Sequence, residues 1–309
     1  MIDLVGKKHW FFLISWVLLV VGIVSMIISQ IQLGTPLRLG VDFVGGTSLV
    51  LRFDPAVEQA RLRAEMSSLG YDKAVIQSSG EGTFIVHVKE LSSEEAARLG
   101  QQLGAALGSE VQVGDYYLVS PTVGTKAVSS ATIAVIVASV AMLLYIVWAF
   151  RRMPKPFRWG SCAIIALVHD VLITVGIFSI LGLVANVEVD VLFVTGLLTV
   201  VGYSINNIVV VFDRIRENIA KGISSDFGDT VNCSIVQTLG RCLNTSLTTL
   251  FIVLALLLFG GATIHYFVMV LLIGIVIGTY DSICFSSQFL VVWEKGEWGS
   301  LLPWTRKSA

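Results

Sequence analysis

Two acidic side chains, Asp170 and Asp281, lie inside long apolar runs, and no other member of the 22 acidic residues does. At the centre of a membrane helix a charged group costs roughly 2.5–3.5 kcal/mol on insertion scales, so such a residue is a functional candidate by default. The alternative is a protonated carboxyl hydrogen-bonded to a neighbouring helix. The surroundings favour chemistry. His169 precedes Asp170, and Thr174 follows it at i+4 on the same helical face. Gly274 and Gly278 stand seven and three residues before Asp281. That small-xxx-small face lets a second backbone approach and turns the carboxylate inward. Another segment sets Arg241, Asn244, Thr245 and Thr248 on one face, and a further one carries Ser204, Asn206 and Asn207. Polar helix packing explains one such stripe. Stripes on several helices together are expected to line a hydrated path for protons.

The elements that must position these groups are membrane helices. Of 309 residues, 55% are hydrophobic and only 14% charged, against about 25% charged in an ordinary soluble domain. That composition excludes a disordered chain, a nucleic-acid binder and a cytosolic enzyme. Crossing a bilayer core roughly 30 Å thick takes about 20 apolar residues, and six stretches qualify: 10–29, 132–150, 159–183, 191–212, 244–263 and 266–292. The first is longer than a signal-peptide core and has no clean cleavage site before Gly34, so it reads as a retained anchor. Thirteen of the 21 basic residues fall at the amino end, in the 2–3 and 4–5 connections and in the tail. The short loops on the other side have none, which predicts cytoplasmic termini. The four cysteines lie in or beside apolar runs, so no disulfide framework is implied.

The organisation expected is residues 1–33 for the cytoplasmic amino terminus and first helix, 34–126 for an extracytoplasmic α+β domain, 127–293 for helices two to six, and 294–309 for a cytoplasmic tail. Within 34–126 the pattern gives a strand at 47–53, a helix at 55–69, a strand pair at 75–78 and 84–89, a helix at 92–107 and a strand at 111–119. The order β-α-β-β-α-β predicts a ferredoxin-like sandwich. Ser92 and Glu95 fit a capping box. This segment carries no nucleophile–base pair, metal-ligand motif or phosphate-binding loop, so no metal or cofactor is expected.

Five motifs resemble the SecD/SecF protein-export family. They are Gly40-Val41-Asp42-Phe43-Val44-Gly45-Gly46-Thr47-Ser48-Leu49 and Ala166-Leu167-Val168-His169-Asp170-Val171-Leu172-Ile173. Gly202-Tyr203-Ser204-Ile205-Asn206-Asn207 is followed by Val211-Phe212-Asp213-Arg214-Ile215-Arg216-Glu217-Asn218. Asn244-Thr245-Ser246-Leu247-Thr248-Thr249 and Gly278-Thr279-Tyr280 complete the set. They cover nearly the whole chain in order. The resemblance implies a non-enzymatic subunit of the bacterial inner membrane that pairs with SecD in a bundle like that of resistance-nodulation-division transporters. It implies assistance to the SecYEG translocon, with YajC and YidC as further neighbours. It also implies an unfolded exported polypeptide as the substrate, with release driven by the proton gradient.

One departure stands out. The family's fourth-span motif usually reads Asn-Asp-Thr or Asn-Asp-Ser, and its Asp is the relay carboxylate; here that position is Asn207, which cannot titrate. The matching cation, Arg241, is kept, and Asp281 stands where the family usually has Ser. The expectation is that Asp281 and Asp170 take over proton binding, with Arg241 biasing Asp281 toward its charged form and Asn206, Asn207, Thr245 and Thr248 lining the route. Hinges for the outer domain are expected at Gly34, Gly40, Gly45, Gly46 and 121–124, with plain turn geometry as the alternative. Competing readings are a half-size proton-coupled exporter of small molecules or lipids, an intramembrane hydrolase using His169 and Asp170, and a structural scaffold. The hydrolase lacks a His-Glu-x-x-His motif.

Overall fold

In hydrocarbon each backbone N–H and C=O must be satisfied within its own segment, so apolar runs of this length become helices. The protein is represented by a computed structural model that describes residues 3–72, 74–151, 153, 155–261 and 264–301. In chain order the elements are α1 (Lys8–Leu33), α2 (Val41–Val44), β1 (Gly46–Asp54), α3 (Gln59–Ser68), β2 (Val75–Ser78), β3 (Thr83–Val88), α4 (Ser93–Leu107) and β4 (Glu110–Val119). Then follow α5 (Pro121–Ala149), α6 (Pro156–Val184), α7 (Val191–Lys221), α8 (Phe227–Phe259), α9 (His265–Tyr280), a π-helical turn (Asp281–Phe285) and α10 (Ser286–Lys295). Six helical stretches are long and apolar enough to cross a membrane, with α9, the π turn and α10 forming the last. This is a multi-pass membrane protein.

Several helices outrun their apolar cores. α5 begins at Pro121 rather than 132, α7 continues to Lys221 rather than 212, and α8 begins at Phe227 rather than 244. Hydropathy finds the lipid-immersed part of a helix, whereas caps find its ends. Asp226 accepts a hydrogen bond from the Asp229 amide at 2.9 Å and so starts α8 early. Arg241, expected at a helix edge, therefore lies well inside α8. The expected span end at Thr263, and the tail beyond 301, lie outside the described residues.

Burial separates the helices into two groups. Large shares of α6, α7 and the last span are covered by the rest of the chain, whereas the most apolar window of α5 is only 6% buried and that of α8 17%. The central helices pack through small residues. A Cβ placed on Gly176 of α6 would lie 2.6 Å from the Cα of Gly22 on α1, and Ser25 Oγ donates to Ser179 Oγ at 3.1 Å nearby. Gly196, Val200 and Ser204 of α7 meet Val270, Gly274 and Gly278 of α9 in turn. The offset between partners is constant in both pairs, so α1 runs parallel to α6 and α7 parallel to α9.

The α+β domain has the expected order, and its four strands form an antiparallel sheet β2-β3-β1-β4. Leu49, Leu51, Phe53, Ile76, Phe84 and Val86 of the sheet pack on Leu62 and Met66 of α3 and on Leu99 and Leu103 of α4. The Ser92–Glu95 capping box opens α4. Below the sheet the chain is tied to the α6–α7 connection: Gly40 N donates to Val189 O and Val189 N to Arg38 O, both at 2.8 Å. Of the glycines expected as hinges, Gly34 is the left-handed cap of α1 with open space around it, whereas Gly46 and Gly124 serve close approach. A Cβ on Gly124 would lie 2.5 Å from the Phe43 carbonyl, and one on Gly46 would lie 2.6 Å from the Val88 carbonyl.

At the opposite end, residues before α1 strap the bundle. The amides of Leu4 and Val5 donate to Asn232 Oδ1 at 2.8 and 3.3 Å. Gln288 Nε2 donates to Leu4 O at 3.2 Å, and Lys8 pairs with Glu297. Replacing Gly176 by leucine should force α1 away from α6. The expected loss is about 1–3 kcal/mol, typical of overpacking, read as a lowered Tm in detergent; an unchanged Tm would mean the two backbones are not held in contact.

Candidate functional site

The bundle's central helices converge on one imidazole. His169 Nδ1 lies 3.2 Å from Asp170 Oδ1 and 3.2 Å from Asp281 Oδ1. α6 supplies His169 and Asp170, while Asp281 opens the π turn between α9 and α10. An inserted residue of this kind breaks the helical register and recurs at functional sites. Here it brings Asp281 and Phe285 to the same ring: the Phe285 and His169 rings stack with centroids 4.2 Å apart. The hydroxyls of Ser286 and Ser287 donate to the carbonyls of Asp281 and Ser282 at 3.2 and 2.8 Å, so side chains satisfy backbone acceptors at the irregular turn.

The two carboxylates are held differently. Asp170 Oδ2 accepts from Ser204 Oγ at 2.5 Å, and the Asp170 carbonyl accepts from Thr174 Oγ1 at 2.8 Å. Among the described residues, neither Asp281 oxygen has a hydrogen-bond partner, and the same is true of His169 Nε2 and Asn207 Nδ2. Both aspartates have zero solvent exposure. The expected inward orientation is therefore found, but the expected hydrated path is closed in this conformation.

The remaining expected residues divide. Asn207 is buried, and the α7–α9 register that joins Ser204 to Gly278 continues three residues on to Asn207 and Asp281, placing them at one level. Asn206, Arg241 and Thr248 are exposed and Thr245 is half-exposed. Thr245 and Thr248 turn their hydroxyls back onto the Arg241 and Asn244 carbonyls at 2.9 Å. The expectation that Arg241 biases Asp281 is corrected. Arg241 forms no ion pair with either carboxylate among the described residues, and the basic group facing Asp281 is the His169 imidazole. Sequence spacing could not reveal this, because i and i+1 on a helix do not normally share a face.

Chemically the trio offers one nitrogen and two carboxylate oxygens within 4.8 Å of one another, a set able to exchange protons or hold a small cation. One Nδ1–H cannot satisfy two carboxylates at once. With the imidazolium and both carboxylates charged, the trio carries one net negative charge away from water. The effective penalty for such a charge is several kcal/mol, and one additional proton removes it.

The protein export membrane protein SecD/SecF C-terminal model matches residues 100–296, and the SecD/SecF GG motif matches residues 31–57. The chain belongs to the SecD/SecF family. Among SecD/SecF relatives, the protein translocase subunit SecF of Thermobaculum terrenum is 43% identical over 307 residues, covering 95% of this chain and 94% of the relative. SecF of Anaerolinea thermophila is 39% identical over 312 residues, covering 100% and 98%. A crystal structure of SecDF, a translocon-associated membrane protein from Thermus thermophilus, superposes with a TM-score of 0.82 at 33% identity. That match covers 95% of this chain and 39% of the SecDF chain, so this chain spans well under half of the fused protein.

Ser204→Ala should leave Asp170 Oδ2 without its donor while changing little volume. The expected cost is about 1–3 kcal/mol, the range for a buried group left unsatisfied, measured by thermal or denaturant unfolding in detergent. Stability equal to the parent would remove Ser204 from the network.

Proposed function

We propose that the chain is an accessory subunit of the Sec protein-export machinery, paired with a SecD-type partner and acting with the SecYEG translocon on an unfolded exported polypeptide. The names of its full-length relatives, protein translocase subunits, support the export role. A SecDF of Bacillus subtilis, 32% identical over 301 residues that make up 38% of its length, joins the two kinds of subunit in one polypeptide and supports the partnership. The surface agrees. Thr195, Thr199 and Asn206 of α7 and Arg241, Asn244 and Thr248 of α8 are exposed, an arrangement unfavourable against lipid and relieved by a covering helix. YajC and YidC are further candidate neighbours. The distribution of basic residues supports cytoplasmic termini and an α+β domain on the outer side of an inner membrane.

The energy source we propose is the proton gradient, acting at His169, Asp170 and Asp281. The carrying observation is the single imidazole between two sealed carboxylates at a helix irregularity. In the neutral trio the bundle closes over the site. Loss of one proton leaves a buried negative charge, which favours movement of α10 about the π turn until water reaches it. A proton crossing yields roughly 2.3 kcal/mol per 100 mV and about 1.4 kcal/mol per pH unit. That biases a two-state element by one to a few powers of ten. Two SecDF structures of equal identity to this chain, one described as a super-membrane-facing form, superpose with TM-scores of 0.82 and 0.66. The difference supports more than one arrangement of the matching region. Proton binding is favoured over cation coordination because a proton is passed directly to an oxygen or nitrogen base and needs no coordination cavity.

Membrane vesicles carrying the Sec machinery provide the test. Collapsing the proton gradient should slow late-stage substrate release several-fold with the parent protein and leave it unchanged with an Asp170→Asn, Asp281→Asn double variant. Co-purification of the variant with its SecD-type partner verifies that it is folded. Equal gradient dependence in both would overturn the proton site while leaving the export role.

A further inference from the structure

The α+β domain meets the membrane helices through a second buried pair of titratable groups, remote from the His169 trio. His87 on β3 pairs through Nδ1 with Glu188 in the α6–α7 connection, and their side chains are only 13% and 7% exposed. Most of the surrounding contacts involve the backbone. Gln77 Nε2 donates to Asn186 O at 3.3 Å, Leu39 bridges to Val189, and Val191 N donates to Asp42 Oδ2 at 3.1 Å. The pair borders a cleft of about 540 Å³ between the domain and the helices, whose wall includes Tyr71, Asp72, Lys89 and Val75 beside it.

We propose that His87 and Glu188 form a proton-dependent latch that holds the α+β domain against the α6–α7 connection. The groups facing it are acidic on balance. Glu188 and Asp190 come from the connection, Asp42 from α2, Tyr117 from the neighbouring β4, Lys89 from β3 itself and Asp72 from the turn before β2. Burial pushes the Asp190 carboxyl above the usual carboxylate range and the Tyr117 hydroxyl above that of a free tyrosine. Tyr266 of α9 also faces Glu188, and among the described residues Lys89 is the lysine or arginine that lines the cleft.

The sign follows from these charges. A protonated His87 gives Glu188 a buried counter-charge and holds the domain against the connection. A neutral imidazole can still donate one hydrogen bond, but it leaves the Glu188 carboxylate buried without an opposite charge, so separation that hydrates it becomes favourable. Docking is tightest at low pH, where the imidazole carries its charge, and loosens as the pH rises. Because the acidic side of a proton gradient is the side assigned above to this domain, the latch would tighten when the membrane is energised. The latch itself does not depend on that assignment or on proton binding at Asp170 and Asp281.

Hydrogen exchange of the full chain in nanodiscs, with one pH on both faces, tests the latch without requiring an orientation or a gradient. After correction for intrinsic rates, protection of the Gly40, Val189 and Val191 amides should fall about tenfold between pH 5.5 and 8. The β1–β3 ladder amides should stay unchanged. In His87→Gln and Glu188→Gln the docking amides should show no such pH dependence. PH-independent docking amides in the parent overturn the latch. So do a loss shared equally by the ladder and a dependence that survives in both variants. Should either variant fold poorly, the contrast between docking and ladder amides in the parent decides alone.

Discussion

A charge removed from water inside a low-dielectric bundle must be matched or neutralised, and the central architecture of this chain follows from that constraint. Three titratable groups share a volume too small for each carboxylate to find its own cation. Ser204 serves Asp170, Phe285 covers one face of the imidazole, and the serines of the π turn attend to backbone carbonyls. The group left least served is Asp281, at the point where the last membrane span changes its winding. Stability and responsiveness are in tension there. A fully satisfied trio would be a structural plug; a trio short of one donor depends on its proton count.

Much of this was legible from residue pattern, for identifiable reasons. Apolar run length reports membrane crossing because the bilayer fixes it, and all six runs became helices. Alternation, turn residues and the Ser92–Glu95 cap report the α+β order because they act locally. The small-xxx-small face also acted as expected, with Gly274 and Gly278 admitting Val200 and Ser204 of α7. What stayed hidden was non-local or depended on register. The segment Asp281–Phe285 has no motif that announces a π turn, and no spacing rule sets His169 between carboxylates from two helices. Periodicity put Arg241 and Thr248 on one stripe of α8, but which neighbour covers a stripe depends on the whole bundle, and among the described residues none does.

The junction beneath the sheet shows the same logic in a wetter place. Residues 38–42 and 186–191 meet mainly through backbone hydrogen bonds, which fix geometry without regard to pH. Superimposed on that frame is one imidazole–carboxylate contact. The frame sets where the domain sits, and the ionisable pair sets how firmly. The close packing of Gly124 and Gly46 against neighbouring carbonyls removes the slack that a glycine-rich connection would otherwise give. Motion of the domain therefore has to begin by breaking identified contacts rather than by flexing a loose linker.

The strap formed by the first described residues has a mechanical consequence. Leu4 and Val5 are anchored on Asn232 of α8, while Gln288 of α10 holds the Leu4 carbonyl from the other side. The beginning of the polypeptide thus works like a tie-rod between two helices that have no chain connection at that end. A swing of α10 would either drag the tie-rod, and α8 with it, or snap it free. The amino terminus thereby becomes a gauge of the state of a site buried two helical turns away.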